Sequence, residues 1–126
     1  MSNMKGVNMN FKYELFETNK VLGIKIYSNP LIVGDYEPLE TCLDTDIRDY
    51  EDVLIWIDEV LKGKKTKDYC GGDIACAEFD KNQTEVFFGI DPDNPARCTL
   101  PTWLFREIVE VWLKETKKHF EANHKD

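Results

Sequence analysis

The sequence predicts an α+β fold in which two helices pack on one face of an antiparallel sheet of four to five strands. Two pairs of apolar segments are each joined by a short polar turn, and two longer segments carry apolar residues at helical spacing. The chain has 126 residues, 42% of them hydrophobic, which suits one domain with its own core. We expect that domain at residues 11–120, between a flexible N-terminus at 1–10 and a frayed C-terminus at 121–126.

The first hairpin is predicted over residues 11–27. Apolar and polar residues alternate over 11–15 and again over 22–26, which is the pattern of half-buried strands. Polar residues at 17–20 form the predicted turn between them. Residues 31–33 are predicted as an optional third short strand, so the expected order is β-β-(β)-α-β-β-α.

The first helix is predicted over residues 46–62. Asp46 is a suitable N-cap, and Gly63 is a suitable residue to end the helix. Apolar residues recur between them at steps of three and four, which places them on one helical face. The positions of that face are Ile47, Tyr50, Leu54, Ile57 and Leu61.

The second hairpin is predicted from residues 74–79 and 84–90, joined by a turn at 80–83. A final helix follows, capped by Thr99 or Thr102, with a proline in its first turn. No apolar run in the sequence is long enough to cross a bilayer. We therefore expect no membrane contact and a cytoplasmic location.

The sequence contains no motif of a nucleotide-binding site, a zinc protease or a serine hydrolase. Its cysteines lack the close spacing of zinc ligands, so we expect reduced, apolar thiols and no metal or other cofactor. A disulfide between Cys70 and Cys76 stays possible. An enzymatic alternative is a small hydrolase that uses carboxylates, or a cysteine paired with His119 or His124.

The charge distribution carries more information about function. The formal net charge is −8, from 24 acidic and 16 basic residues, and this argues against binding to nucleic acid. Residues 31–60 hold ten acids and one base, Arg48. Residues 73–93 are also rich in acids, and a lysine cluster at 62–67 separates the two stretches.

Aromatic residues within an acidic rim are typical of protein-binding surfaces. We therefore predict a binding surface for a basic protein, on the condition that these acids form one contiguous face of the folded chain. The candidate residues are Asp35, Tyr36, Glu37, Asp44, Asp46, Asp49, Asp52, Trp56, Asp91 and Asp93.

Three segments and two tryptophans carry a resemblance to a known family. The segments are 32–37 (IVGDYE), 49–56 (DYEDVLIW) and 69–73 (YCGGD), and the tryptophans are Trp103 and Trp112 in the final helix. Together they resemble immunity proteins of bacterial contact-dependent growth inhibition systems. The likeness extends over most of the chain.

The resemblance implies a binding function without catalysis. Such an immunity protein binds one cognate toxin domain delivered by a neighbouring cell and neutralises it in the cytoplasm, and many of these toxins are nucleases that cleave tRNA. A nuclease site is basic because it must hold phosphates, so an acidic inhibitor can cover it. The alternative within the same class is an adaptor or regulatory module that binds some other protein.

Overall fold

The computed structural model describes residues 4–7, 10–48 and 50–123. This part of the chain forms two antiparallel sheets and three α-helices, so the predicted α+β class is confirmed. In chain order the elements are β1 (Met4–Val7), β2 (Lys12–Thr18), β3 (Val21–Ile26), β4 (Val33–Gly34), α1 (Glu37–Thr41), a π-helical turn (Cys42–Asp46), α2 (Asp52–Leu61), β5 (Lys67–Gly71), β6 (Cys76–Asp80), β7 (Gln83–Phe87), β8 (Arg97–Pro101) and α3 (Thr102–Asn123).

A three-stranded sheet has the order β1-β2-β3. The predicted first hairpin is β2 and β3, and the tip residues Asn19 and Lys20 both have positive φ, as a two-residue type I′ turn requires. Within the N-terminus that was predicted to be flexible, residues 4–7 instead form β1, because they pair with β2. Residues 1–3, 8 and 9 lie outside the described residues.

A five-stranded sheet has the order β4-β8-β7-β6-β5. The predicted second hairpin is β6 and β7, with Lys81 and Asn82 at its tip. The optional third strand, predicted over residues 31–33, is present as β4 but is shifted to Val33–Gly34. The prediction missed β5 and β8, since β5 is a largely polar edge strand and β8 lies where a helix cap was expected.

The helix predicted over 46–62 is wrong at its start. Residues 37–46 already form α1 and the π-helical turn, and α2 begins only at Asp52. The carboxylate of Asp46 accepts the backbone N–H of Ala75 at 2.9 Å, so it does not cap a helix. The final helix begins at Thr102, directly after β8, which places Thr99 inside the strand.

The helices α1 and α3 contact both sheets, while α2 packs on β5 and β6. The largest fully buried side chains are Trp112 and Phe105, both on α3, and they join the core that all three helices share with the sheets. The helix α3 continues to Asn123, so it enters the C-terminus that was predicted to fray. None of the helices in the described part of the chain is long and apolar enough to span a membrane.

Candidate functional site: the acidic end of the five-stranded sheet

Three connecting segments meet at one end of the five-stranded sheet. Neighbouring strands run antiparallel, so β4 and β7 finish at the same end where β8 and β6 begin. Residues 35–37 leave β4 there, residues 88–96 join β7 to β8, and residues 72–75 join β5 to β6. The topology therefore brings together segments that are up to about sixty residues apart in sequence.

These three segments contain five acids and no lysine or arginine. All five acids are exposed. They are Asp35, Glu37, Asp73, Asp91 and Asp93, and we call this region the acidic end. Among them the apolar side chain of Ile90 is 61% exposed, so the acidic end also offers an apolar contact.

Backbone hydrogen bonds hold the acidic end in place. The Asp35 N–H donates to the Arg97 carbonyl at 2.8 Å, which ties the end of β4 to the start of β8. The Ile90 N–H donates to the Ile74 carbonyl at 3.3 Å, which ties the long loop to the β5–β6 turn. The carboxylates are therefore presented by a framework that needs little ordering when a partner binds.

Two glycines allow the strands to end in this way. Gly34 has φ +97° and Gly71 has φ +103°, a region that residues with a Cβ rarely adopt. A Cβ on Gly34 would lie 2.3 Å from the Arg97 carbonyl oxygen, and one on Gly71 would lie 2.5 Å from that of Ala75. Both positions require glycine for conformation and for space.

The lysine cluster lies at the opposite end of the sheet. Lys64 and Lys65 precede β5, Lys67 begins it, and Lys81 lies at the β6–β7 tip. Lys65 pairs locally with Glu59 and Asp68 at 3.6 and 3.2 Å. The sheet therefore separates these lysines from the acidic end instead of bringing the two charges together.

Two of the predicted binding residues serve the fold. Asp44 Oδ1 accepts the Ile24 N–H at 3.1 Å, and Glu40 on the preceding helical turn accepts the Ile26 N–H at 2.8 Å. Burial raises the pKa of Asp44 to about 6. The carboxylates of Asp44 and Glu40 cap the open edge of β3, so Asp44 is not a freely exposed docking group. The Asp46 carboxylate is also used within the fold, because it accepts the N–H of Ala75 in the β5–β6 connection.

Tyr36 also differs from the expected exposed anchor. Its hydroxyl accepts the Asn29 N–H at 2.8 Å and lies 3.1 Å from the carbonyls of Asn29 and Ile32. The ring packs against the core while this hydroxyl fastens the turn before β4. Tyr36 therefore positions the acidic end without offering a free aromatic surface.

The predicted residues on α2 lie in a different environment. Asp52 is exposed and lines a groove that also holds Glu51, Glu110, Lys114 and Lys117, so acids and bases are mixed around it. Trp56 packs against the core, and its ring lies 5.4 Å from that of Tyr50. Asp49 lies outside the described residues. Of the predicted set, Asp35, Glu37, Asp91 and Asp93 are brought together.

Among the described residues, the thiols and the histidine considered for catalysis are not arranged as a nucleophile with its base. Burial raises the pKa of Cys98 to about 12 and that of Cys42 well above its usual value, whereas a nucleophilic thiol needs a lowered pKa. His119 Nε2 lies 2.5 Å from Glu17, and no cysteine is among its described partners. His124 lies outside the described residues.

Cys70 and Cys76 are free thiols in the structure. The strand register pairs Cys70 with Ala77 and Gly71 with Cys76, so the two side chains point to opposite faces of the sheet. Within residues 4–7, 10–48 and 50–123, no three potential ligands gather into a metal site.

The outward face of the five-stranded sheet adjoins the acidic end. Tyr69, Glu78 and Glu85 are neighbours on β5, β6 and β7 in one cross-strand row. This row is not among the binding residues predicted from the sequence, although the alternation within the second hairpin and its turn already place Glu78 opposite Glu85. Arg97 of β8 lies 3.7 Å from Glu85 and over the ring of Phe87 at 4.9 Å.

Comparison of the chain with protein-family models, with curated proteins and with solved structures found no match.

Proposed function

We propose that this chain is an immunity-type inhibitor that binds a basic toxin domain through the acidic end and neutralises it in the cytoplasm. The observation that supports the proposal is the convergence of five exposed acids on three neighbouring segments, where they outnumber the Arg97 guanidinium that donates to the Asn94 and Ala96 carbonyls. The resemblance of residues 32–37 and 69–73 to immunity proteins supports it further, since both segments end at the acidic end.

The physical basis is competition for a phosphate-binding surface. A nuclease such as a tRNase holds its substrate with lysines and arginines, so its site attracts a rigid group of carboxylates as it attracts phosphates. Opposite fields also accelerate the encounter of the two proteins, and an inhibitor must reach a newly delivered toxin before the toxin acts. The proposed inhibitor needs no catalytic residue and no cofactor for this task.

The proposal is tested by co-expressing the tagged chain with the product of the gene immediately upstream of its own. We expect the two proteins to co-purify in stoichiometric amounts, and the cells to survive expression of a toxin that kills them when it is expressed alone. Purified chain should also block the nuclease activity of that product. A stable complex without protection would instead identify an adaptor, and the absence of both complex and protection would contradict the proposal.

A further inference from the structure

The outward face of the five-stranded sheet has no packing element on it in the described part of the chain. Cys70, Ala77, Val86 and Cys98 form the inward row of the sheet and are fully or nearly fully buried in the core that the helices share. The neighbouring row points the other way, because side chains alternate along each strand. That outward row consists of Tyr69, Glu78, Glu85, Thr99 and Val33, on five successive strands.

Two like charges lie directly opposite each other in this row. Glu78 on β6 is in register with Glu85 on β7, and carboxylates paired in this way repel each other. Arg97 compensates Glu85 in part, from 3.7 Å, while its guanidinium lies over Phe87. Glu78 has no ion pair with any residue that the structure describes. The row therefore carries a negative charge that the fold leaves uncompensated.

An exposed tyrosine on β5, Tyr69, lies beside the two glutamates. Tyr69 is in register with Glu78 and is 67% exposed, so its ring covers no core. These three side chains line an open cleft of about 690 Å³ together with Lys67, Asp68, Asp80 and Gln83, so a lysine lies among acids that outnumber it. A flat aromatic ring beside two carboxylates matches the shape and charge of a guanidinium, which stacks on the ring and donates to carboxylate oxygens.

We propose that this cleft accepts an arginine side chain of the basic partner over Glu78, with Tyr69 on one side of it and Glu85 on the other. The inference rests on the proposed function, and it adds to the acidic end a second contact on the outward face of the sheet, on the side of the lysine cluster. A second copy of the chain is a poor occupant, since it carries a net charge of −8 and would present another glutamate pair. A partner arginine would relieve the repulsion that the free protein tolerates.

The test uses two blocked peptides of eight arginines or eight lysines, titrated into the whole ¹⁵N-labelled chain. We expect amide shifts to centre on Tyr69, Glu78 and Glu85, and the arginine peptide to bind roughly fivefold more tightly than the lysine peptide. Glu78→Gln should weaken binding about tenfold and also raise the melting temperature, because it removes a like-charge contact. Tyr69→Ala should weaken binding with little change in melting temperature.

Glu121→Gln is the matched control, since it makes the same charge change at an exposed position near the end of α3. Equal losses of affinity in Glu78→Gln and Glu121→Gln would overturn the inference, as would shifts confined to Asp35, Asp91 and Asp93. Neither result would remove the proposed function, which fails only when the toxin is not bound and inhibited. Conversely, shifts centred on the cleft would support the arginine site even if that toxin were not the partner.

Discussion

The Asp44 carboxylate accepts the backbone N–H of Ile24 at 3.1 Å, across the edge of β3 that pairs with no strand in the described part of the chain. Four residues before it Glu40 binds the Ile26 N–H, and four residues after it Arg48 donates to the Leu22 carbonyl at 3.0 Å. A step of four residues along the segment 40–48 thus matches a step of two residues along β3. This match satisfies the edge of the small sheet with side chains and blocks strand addition there.

Asp44→Asn should change how stability depends on pH. Burial raises the folded-state pKa of Asp44 to about 6, above its usual 3.8, so the folded protein holds this proton more tightly than the unfolded chain. The contribution of Asp44 is therefore most favourable below about pH 4, and it falls as pH rises through 6. Asparagine still accepts the Ile24 N–H but does not ionise.

Urea unfolding at pH 4 and pH 7 measures this difference. The wild-type protein should lose on the order of 1 kcal/mol between these pH values that Asp44→Asn retains, a figure reduced for partial solvent exposure. Asp52→Asn, which changes an exposed carboxylate, is the control and should follow the wild-type profile. Identical pH profiles for Asp44→Asn and the wild-type protein would contradict the assignment.

The start of α3 depends on a buried pair of hydroxyl groups. Thr102 Oγ1 donates to the Asp80 carbonyl at 2.7 Å and lies 2.9 Å from Thr84 Oγ1, so Thr84 is the donor of the second bond. Thr102→Val removes both bonds and leaves the Thr84 hydroxyl and the Asp80 carbonyl without these partners. We expect a loss of about 2 kcal/mol in unfolding free energy for Thr102→Val and roughly 1 kcal/mol for Thr84→Val. Equal losses of unfolding free energy in the two variants would contradict this assignment, in which Thr102 takes part in both hydrogen bonds and Thr84 in one.

An ion pair joins α2 to α3. Arg106 Nε lies 2.6 Å from Asp58 Oδ1 and Nη2 lies 3.2 Å from Oδ2, and these hydrogen bonds lower the pKa of Asp58. The pair therefore stabilises the protein above about pH 4, the usual carboxylate pKa, and this contribution is lost as pH falls through the lower folded-state value.

A double-mutant cycle isolates that contribution. Asp58→Ala, Arg106→Ala and the double variant should give a coupling energy of roughly 1 kcal/mol at pH 7 that declines at pH 3. Lys118 and Glu115, 3.3 Å apart on α3 with the lysine strongly exposed, provide the control pair, and their coupling should be near zero. A coupling for Asp58 and Arg106 no larger than that of the control would show that the two helices do not depend on it.

The sequence predicted the α+β class and both hairpins, because alternation of apolar residues is a local signal. It placed the helix start at Asp46 since an aspartate before an apolar face usually caps a helix. The actual partner of Asp46 is the N–H of Ala75, 29 residues away, and no pattern in the neighbouring sequence indicates a contact at that distance. The polar strand β5 was missed for a related reason, because it becomes a strand by pairing with β6 and not through an apolar pattern of its own.

The candidate site was predictable only in part. Acidity marked the correct stretches of chain, but composition does not distinguish the exposed carboxylate of Asp35 from that of Asp44, which caps β3. The grouping of Asp35 with Asp91 depends on the pairing of β4 with β8, a contact between distant segments. The pairing of Glu78 with Glu85 is different, because a hairpin turn and strand alternation already fix it.

Reversing charge at the acidic end should slow association with the toxin identified by co-purification. The triple variant Asp35→Lys, Asp91→Lys and Asp93→Lys removes long-range attraction, so we expect the association rate constant at low salt to fall at least tenfold. The melting temperature should change little, since all three side chains are exposed. The control triple, Glu51→Lys, Asp52→Lys and Glu121→Lys, makes the same net change outside the acidic end.

Stopped-flow mixing over a range of salt concentrations separates the two variants. The association rate of the wild-type protein should decrease steeply as salt rises, because screening shortens the reach of the carboxylates. The acidic-end variant should show a nearly flat dependence and the control an intermediate slope. If both triples lose the same factor in rate, net charge alone drives the encounter, and the convergence of Asp35 with Asp91 and Asp93 has no part in docking.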